Sequence, residues 1–320
     1  MVQPRVFIDG EAGTTGLQIY SRLSQREDVT VVSIDSAKRK DVGERAKLID
    51  AVDVAILCLP DAAAREVVEL VSSPTVKILD ASTAYRTNDS WVYGFPELAP
   101  EQREAIAKAH RVSNPGCYPT GFLAAIRPLV AAGLIPASFP VTINAISGYS
   151  GGGRRLIETY ADYWDGTESI YPYGLYGLTF GHKHVPEMHQ YSGLTHAPLF
   201  VPAVGAFEQG MLVQIPLPLW TLDTPPTGHQ LHGALAEYYA KEHFVQVHAL
   251  GDMDCLRDRT FLDVKAANGT NQVPLFVFAT DAPRAALLAA RLDNLGKGAS
   301  GAAVQNLNIM LWLPEHWGVD

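Results

Sequence analysis

The stretch Phe7-Ile8-Asp9-Gly10-Glu11-Ala12-Gly13-Thr14-Thr15-Gly16-Leu17 joins the first apolar run of the chain to its first amphipathic segment. Its glycines stand three residues apart, which allows a tight turn, the close approach of a phosphate, and close packing of a helix on a strand. A helix that begins here offers N–H groups and the positive end of its dipole to a pyrophosphate. The spacing is not the usual G-x-G-x-x-G, so an ordinary strand–helix turn is the alternative. The residues expected to contact a dinucleotide are Gly10, Gly13, Thr14, Thr15 and Gly16.

Around this turn, short apolar runs alternate with helical patterns, which is typical of a parallel sheet with right-handed crossovers. Strands are predicted at Arg5–Asp9, Val29–Ile34, Val52–Leu59 and Val76–Asp80, and helices at Leu17–Gln25 and Ala62–Val71. The second half of the chain has longer strand patterns that lie close together, which favours an antiparallel or mixed sheet. Strands are predicted there at Val141–Ile146, Met211–Pro218, Phe244–Ala249, Phe261–Ala266 and Leu275–Ala279, and helices at Gly228–Glu242 and Ala282–Leu295.

The segment that follows the second strand indicates which dinucleotide binds. Asp35 stands about where an acidic residue would accept a hydrogen bond from the ribose 2′-OH of NAD. Ser36, Lys38, Arg39 and Lys40 follow at once, and such a cluster of cations suits a 2′-phosphate. A solvated basic loop is the alternative. The sequence therefore favours NADP over NAD, with Ser36 and Arg39 as ligands of the phosphate.

A cysteine lies just before a second helical pattern. Ser113-Asn114-Pro115-Gly116-Cys117-Tyr118-Pro119-Thr120-Gly121 leads into Phe122–Ala132. Cys117 is therefore expected at a helix N-terminus, where the dipole lowers the pKa of a thiol and favours the thiolate. A thiolate attacks acyl carbons, and nearby N–H groups can hold the resulting oxyanion. A packed thiol is the alternative.

Composition excludes several classes of protein. The chain has 320 residues, enough for two domains, and a net charge of −9, which argues against a nucleic-acid-binding surface. Three cysteines argue against a disulfide framework and favour a reducing compartment. Cys58 lies in an apolar run and Cys255 has acidic neighbours, so neither suits a nucleophile. No apolar run approaches the roughly 18 residues of a membrane helix. A cytoplasmic enzyme without membrane or nucleic-acid partners is expected.

Two further segments carry candidate polar groups. In Gly181–Met188, His182 and His184 flank Lys183, and either imidazole could exchange a proton during catalysis. A polar loop is the alternative. A metal site is not predicted, because the segment lacks the H-E-x-x-H form.

The glycine-rich segment Ser147–Arg155 follows a predicted strand. Its glycines would free backbone N–H groups, Ser147 and Ser150 would donate hydrogen bonds, and Arg154 would bind a phosphate or carboxylate. A flexible turn is the alternative.

Taken together, these segments resemble the short form of the N-acetyl-γ-glutamyl-phosphate reductases, within the aspartate-semialdehyde dehydrogenase-like superfamily. The similar segments are Gly10–Gly16, Leu79–Arg86, Tyr93–Leu98, Asn114–Thr120, Ser147–Gly151, His182–Glu187 and Lys297–Asn306. Two departures stand out. Asp80 is followed by Ala81-Ser82-Thr83 where the longer members usually have Leu-Ser-Ala, and Lys183 replaces an arginine between the histidines.

The resemblance implies an α/β fold with a Rossmann-type parallel-sheet NADP domain and a mixed α+β catalytic domain. The NADP domain would comprise residues 1–116 completed by 297–320, and residues 117–296 would form the catalytic and oligomerisation domain of a homodimer or homotetramer. The resemblance also implies reduction of N-acetyl-γ-glutamyl phosphate to its semialdehyde in arginine biosynthesis, with phosphate released through a cysteine thioester. It assigns the nucleophile to Cys117 and the proton to His184 or, second, His182. Substrate ligands would be Asn114, Ser147, Ser150, Arg154 and Glu187, and further cofactor ligands Ser82, Gly298, Ser300 and Asn306.

Three other functions remain open at this point. The enzyme could reduce another acyl phosphate, such as aspartyl phosphate. A cysteine hydrolase would use the same nucleophile without a redox step. A non-catalytic NADP-sensing module would need the glycine turn but not Cys117.

Overall fold

A computed structural model of the chain describes residues 3–164 and 172–319. These residues fall into two units, one formed by Met1–Gly116 with Ala299–Asp320 and the other by Cys117–Gly298. The first unit therefore takes its chain from both ends of the sequence.

The first unit is built on a parallel sheet. Within its described residues the strands are β1 (Arg5–Asp9), β2 (Thr30–Val32), β3 (Val54–Leu57), β4 (Lys77–Asp80), β5 (Val92–Tyr93) and β6 (Arg111–Ser113). Their order is β2-β1-β3-β4-β6-β5, and every recorded pairing is parallel. The helices of this unit are α1 (Thr14–Leu23), α2 (Val42–Asp50), α3 (Asp61–Leu70), α4 (Gln102–Lys108) and the C-terminal α9 (Gly301–Met310).

The central strands of this sheet are buried, which explains their continuous apolar sequence. Every residue of β3 is buried, and Phe7 of β1 is 0% exposed. The prediction for β1 is confirmed at both ends, and those for β2, β3 and β4 in part, since the structure shortens them. The short elements α2, α4, β5 and β6 were not predicted.

The second unit is built on a mixed sheet. Its described strands are β7 (Thr142–Gly148), β8 (Tyr173–Leu175), β9 (Leu199–Gly205), β10 (Met211–Leu217), β11 (Val245–Val247), β12 (Val273–Asp281) and β13 (Arg284–Leu292), in the order β11-β12-β13-β10-β7-β9-β8. The pairs β7–β9 and β11–β12 are parallel and the others antiparallel. The helices are α5 (Cys117–Ala131), α6 (Gly153–Trp164), α7 (Val185–Ser192) and α8 (Gly228–Tyr238).

Helix α5 lies directly on this sheet. A Cβ atom added to Gly121 would stand 2.9 Å from Cγ2 of Val213 in β10 and 3.2 Å from Cδ2 of Leu292 in β13. The glycine thus permits the close approach of the helix that begins with Cys117.

The predicted helix at Ala282–Leu295 is wrong. The segment forms β13, which pairs over seven residues with β12 and over seven residues with β10. Its alanines and leucines favour a helix locally, but a strand in the middle of a sheet gains backbone hydrogen bonds on both sides. Pro283 lies in the two-residue connection between Asp281 and Arg284, where β12 turns into β13.

The predicted strand at Phe261–Ala266 is also wrong. Within the described residues, Phe261 makes one isolated bridge with Arg257, and the residues after it form turns. Asp258 and Arg259 adopt φ angles of 54° and 53°, which reverse the chain and prevent an extended pairing. Phe261 is 64% exposed, so no core packing favours a strand here.

Candidate active site

The glycine turn after β1 has the geometry of a phosphate-binding turn. Gly10 has a φ of +89°, and an added Cβ atom would lie 2.3 Å from the carbonyl oxygen of Cys58. At Gly16 an added Cβ would lie 2.4 Å from the Gly10 carbonyl oxygen. Helix α1 begins at Thr14 after Gly13, and no described side chain caps it. The turn therefore presents the first-turn N–H groups of α1 beyond the carboxyl ends of the parallel strands, where α/β folds bind dinucleotides.

Part of the basic segment after β2 makes contacts within the chain. The Asp35 carboxylate accepts a hydrogen bond from the backbone N–H of Ala37 at 2.9 Å, as part of a turn. Lys38 pairs with Glu44 at 3.0 Å. Ser36, Arg39 and Lys40 are exposed, and neither of the last two makes an ion pair in the described part of the chain. Arg39 and Lys40 therefore lie exposed after β2, which is where the 2′-phosphate of NADP is expected to bind.

Acidic groups lie at the carboxyl ends of the neighbouring strands. Burial raises the pKa of Asp80 to about 6, and Ser82 donates to its carboxylate at 2.7 Å. Burial, with the charges of Asp80 and Asp9, also raises the pKa of the Cys58 thiol to about 12. Cys58 therefore stays protonated, in line with its expected exclusion as a nucleophile.

The C-terminal segment returns to this unit through two buried asparagines. Asn306 Nδ2 donates to the carbonyl oxygen of Gly94 at 2.7 Å and to Oδ1 of Asn114 at 3.1 Å. Asn114 Nδ2 in turn donates to the carbonyl oxygen of Ala299 at 3.1 Å. Asn114, predicted to bind substrate, thus holds the returning chain in place.

Two further observations concern the predicted cofactor ligands at this end of the chain. The Ser300 hydroxyl donates to Oε1 of Gln18 in α1 at 2.9 Å, which ties the segment to the helix after the glycine turn. Asn306 Oδ1 is buried and has no hydrogen-bond partner among the described residues. A buried acceptor of this kind suits an amide donor from a ligand.

In the second unit, Cys117 is the first residue of α5 and is half-buried. Its position at the helix start is the one expected, and a helix dipole there stabilises a thiolate. Gly298 lies against it, since an added Cβ would stand 2.8 Å from the Cβ of Cys117. Cys255 differs, because burial and Asp252 raise the pKa of its thiol.

Tyr118, the residue after Cys117, contacts both histidines of the paired-histidine segment. Tyr118 is buried, and its ring centroid lies 6.0 Å from that of His182 and 5.9 Å from that of His184. The two imidazole centroids are 4.8 Å apart. Tyr176 donates from its hydroxyl to that of Tyr118 at 3.0 Å. Sequence reasoning missed both tyrosines, although each stands close to a predicted catalytic residue in the chain.

His182 is held as a neutral imidazole. Its Nδ1 accepts a hydrogen bond from the backbone N–H of His184 at 3.1 Å, so the proton of the neutral ring is on Nε2. Burial and the charge of Lys183 lower the pKa of His182 to about 4. At neutral pH, His182 is therefore a hydrogen-bond donor rather than an acid. His184 and Glu187 stand at the start of α7, and both are buried.

The glycine-rich segment after β7 differs from the expected open loop. Three successive N–H groups, of Gly148, Tyr149 and Ser150, donate to carbonyl oxygens of residues 207–210 at 2.9, 2.9 and 3.0 Å. The expectation that glycines free these groups for a ligand is wrong for this part of the segment. Ser147 and Ser150 are each 2% exposed, whereas Arg154 is exposed at the start of α6.

Metal-ligating side chains gather at another place in the second unit. His248, Asp252 and Cys255 bring one possible ligand atom each to within 4.8 Å of one another. Their groups already bond to each other, since His248 Nδ1 lies 3.1 Å from Asp252 Oδ2 and the Cys255 thiol donates to the Asp252 carbonyl oxygen at 3.1 Å. This arrangement is that of an ordinary polar turn. In the described ranges no helix has the length and apolar character needed to cross a bilayer.

A parallel nucleotide-binding sheet and a mixed-sheet unit with a cysteine at a helix start define a class of dehydrogenases. Residues 5–108 match the semialdehyde dehydrogenase NAD binding domain, and residues 117–294 match the semialdehyde dehydrogenase dimerisation domain. The chain belongs to the semialdehyde dehydrogenase family.

The curated relatives of high sequence identity share one enzyme name. An N-acetyl-gamma-glutamyl-phosphate reductase from Trichormus variabilis is 68% identical over 100% of both chains. Another from Burkholderia cenocepacia is 51% identical over 96% of this chain and 97% of its own. These matches confirm the resemblance found in the sequence.

Solved structures agree on the fold. Aspartate semialdehyde dehydrogenase II from Vibrio cholerae superposes with a TM-score of 0.73 at 15% identity, covering 98% of this chain and 99% of its own. The enzyme from Francisella tularensis gives a TM-score of 0.72 at 13% identity, covering 97% and 100%. The predicted fold class is therefore confirmed, and the roles of individual residues stay predictions.

Proposed function

We propose that this chain reduces N-acetyl-γ-glutamyl phosphate to N-acetylglutamate 5-semialdehyde with NADPH, releasing phosphate. The observation that carries the proposal is Cys117 at the first position of α5, in a chain 68% identical to a reductase of this name. Cys58 and Cys255 do not compete for the role, because burial raises the pKa of both thiols.

The chemistry divides among the residues of the second unit. The Cys117 thiolate attacks the acyl carbon, and phosphate leaves with the electron pair of the broken C–O bond, which gives a thioester. Bound NADPH supplies the hydride that reduces the thioester carbonyl. The resulting thiohemiacetal loses its hydroxyl proton, and the C–S bond breaks to release the aldehyde and return the thiolate.

We assign different roles to the two histidines. His182 donates a hydrogen bond from Nε2 to the reacting oxygen, because its Nδ1 already accepts from the His184 backbone. A neutral donor of this kind stabilises developing negative charge without transferring its proton. His184 gives a proton to the reacting oxygen when the hydride is added and takes it back when the C–S bond breaks, which is the role that the sequence favoured for it.

The first unit suits NADP. The start of α1 suits a pyrophosphate, and Asn306 Oδ1 is a buried acceptor suited to the nicotinamide carboxamide. Exposed Arg39 and Lys40 favour the 2′-phosphate of NADP over the plain ribose of NAD. Ser36 belongs to the same proposed subsite, and Ser82, Gly298 and Ser300 remain proposed as further cofactor ligands.

The remaining assignments concern the substrate and the assembly. Arg154 is the proposed ligand of the substrate phosphate or carboxylate, and Ser147, Ser150 and Glu187 are proposed as further substrate ligands. Asn114 acts indirectly, through the returning segment at Ala299. The match to a dimerisation domain supports a homodimer or a homotetramer, and the reducing environment that Cys117 requires supports the cytoplasm.

The reverse reaction tests the function. Purified protein with N-acetylglutamate semialdehyde, phosphate and NADP⁺ should form NADPH, and C117A should not, while its NADPH binding measured by fluorescence stays normal. C255A is the matched control and should retain activity. Faster NADPH formation with aspartate semialdehyde would favour the other acyl phosphate, and cleavage of an ester or amide by a protein that does not bind NADPH would indicate a hydrolase. Activity in C117A would exclude the thioester route.

A further inference from the structure

Asn294 connects two segments of the second unit through its side chain. It follows β13 and is 2% exposed. Its Oδ1 accepts from the backbone N–H of Gly210 at 2.8 Å, and its Nδ2 donates to the Ser150 hydroxyl oxygen at 2.9 Å. Both functional groups of the amide are therefore used, and they fix the rotation of the side chain.

This contact determines what the Ser150 hydroxyl can do. Because its oxygen accepts from Asn294, its own hydrogen points to a different acceptor, and none of the described residues supplies one. Ser147 differs, since its hydroxyl donates to the Gly148 carbonyl oxygen at 3.0 Å. A buried donor without an acceptor is costly, so an acceptor from a ligand would be strongly favoured.

The same segment also contacts the nucleophile. The carbonyl oxygen of Asp293 accepts from the N–H of Gly298 at 3.0 Å, and Gly298 lies against Cys117. On the other side, a Cβ added to Gly151 would stand 3.5 Å from Asn294 Nδ2. The residues from 293 to 298 thus hold the serine segment and the cysteine at a set spacing.

We propose that Asn294 is a positioning residue that makes the Ser150 hydroxyl a hydrogen-bond donor to an oxyanion of the substrate. The oxyanion is either the transferred phosphate or the substrate carboxylate, which share the chemistry of a charged oxygen acceptor. The proposal rests on the reductase function, because it requires an anionic acyl phosphate beside Cys117.

The variant N294D removes the hydrogen-bond donor of Asn294 and keeps the shape of its side chain. A carboxylate has nearly the shape of the amide and still accepts from Gly210. It cannot donate, so the Ser150 hydrogen turns towards it and is no longer available to a ligand. We expect KM for phosphate or for N-acetylglutamate semialdehyde in the reverse reaction to rise about 10-fold or more, as for loss of a hydrogen bond to a charged group. The substrate whose KM rises identifies the oxyanion. The melting temperature and the affinity for NADPH should change little.

Three other variants complete the test. S150A removes the donor and should raise the same KM, and the double variant S150A/N294D should show no further increase. N268D is the matched control: Asn268 Nδ2 donates to the Gln209 carbonyl oxygen at 2.8 Å, so the same substitution tests an added charge nearby without touching Ser150. It should leave both KM values unchanged.

The outcomes are distinguishable. A wild-type protein without the reverse reaction would refute the reductase function itself. With an active wild type, unchanged KM values in N294D would overturn the proposal, as would KM effects in N294D and S150A that multiply in the double variant. If N294D does not fold, S150A alone decides, and unchanged KM values for both substrates in S150A overturn it.

Discussion

Replacing Gly298 with alanine should displace Cys117, the proposed nucleophile. The added Cβ would lie 2.8 Å from the Cβ of Cys117 and 3.1 Å from the carbonyl oxygen of Asp293. Non-bonded carbon atoms prefer separations of about 3.5–4.0 Å, so the two segments must move apart by about 1 Å. Cys117 begins α5, which is held on the sheet through Gly121, so the movement should fall mainly on the first turn of the helix.

Two magnitudes follow from this displacement. Overpacking of this kind costs about 1–3 kcal/mol in the free energy of unfolding. A displacement of about 1 Å between reacting groups lowers kcat by about 100-fold. At a temperature where the variant remains folded, the lower free energy of unfolding cannot account for the lower kcat. The loss of kcat should therefore come from the displacement of Cys117.

The assay combines urea unfolding, the rate of Cys117 alkylation by iodoacetamide and kcat in the reverse reaction. G233A is the matched control, because no atom lies within 4 Å of its added Cβ in α8. An alanine there should stabilise the helix by about 0.5–1 kcal/mol and leave kcat unchanged. A G298A protein with wild-type stability and wild-type kcat would refute the close contact.

Three further predictions concern the cofactor and pH. In G10A, the φ of +89° and the Cys58 carbonyl oxygen at 2.3 Å should prevent normal NADPH binding in a fluorescence titration; wild-type affinity would contradict the turn geometry. R39A should raise KM for NADPH and leave KM for NADH unchanged, whereas equal effects on both would indicate a structural role. For His182 the folded-state pKa of about 4 lies below the ordinary histidine value of 6.5, so the unfolded chain binds more protons in this interval and stability rises with pH across it. Urea unfolding of H182Q should show a weaker rise than the wild type between these pH values, while an unchanged pH profile would disprove the burial of a neutral ring.

Local sequence patterns were sufficient to predict the first strands of the first unit. Strands buried on both faces carry continuous apolar residues, so β1 is predictable at both ends and β3 and β4 in part. Gly10 is required by a positive φ, and Cys117 is recognisable because Pro119 and an apolar helical pattern follow it. These signals lie within a few residues of the feature that they predict.

Other features of the protein depend on contacts between residues that are far apart in the sequence, so no short segment reveals them. The sequence of β13 favours a helix, and only its position between β12 and β10 makes it a strand. The pairing of Asn294 with Ser150 spans 144 residues, and that of Asn306 with Asn114 spans 192. The sequence alone predicted the family, the glycine turn before α1 and the position of Cys117 at a helix start, because short motifs and local backbone requirements specify them. The tertiary structure decided the centre of the mixed sheet and the contact between Asn294 and Ser150, because hydrogen bonds between distant residues leave no local pattern. It also decided the neutral state of His182, because the burial that lowers the pKa of this imidazole depends on how the whole unit packs.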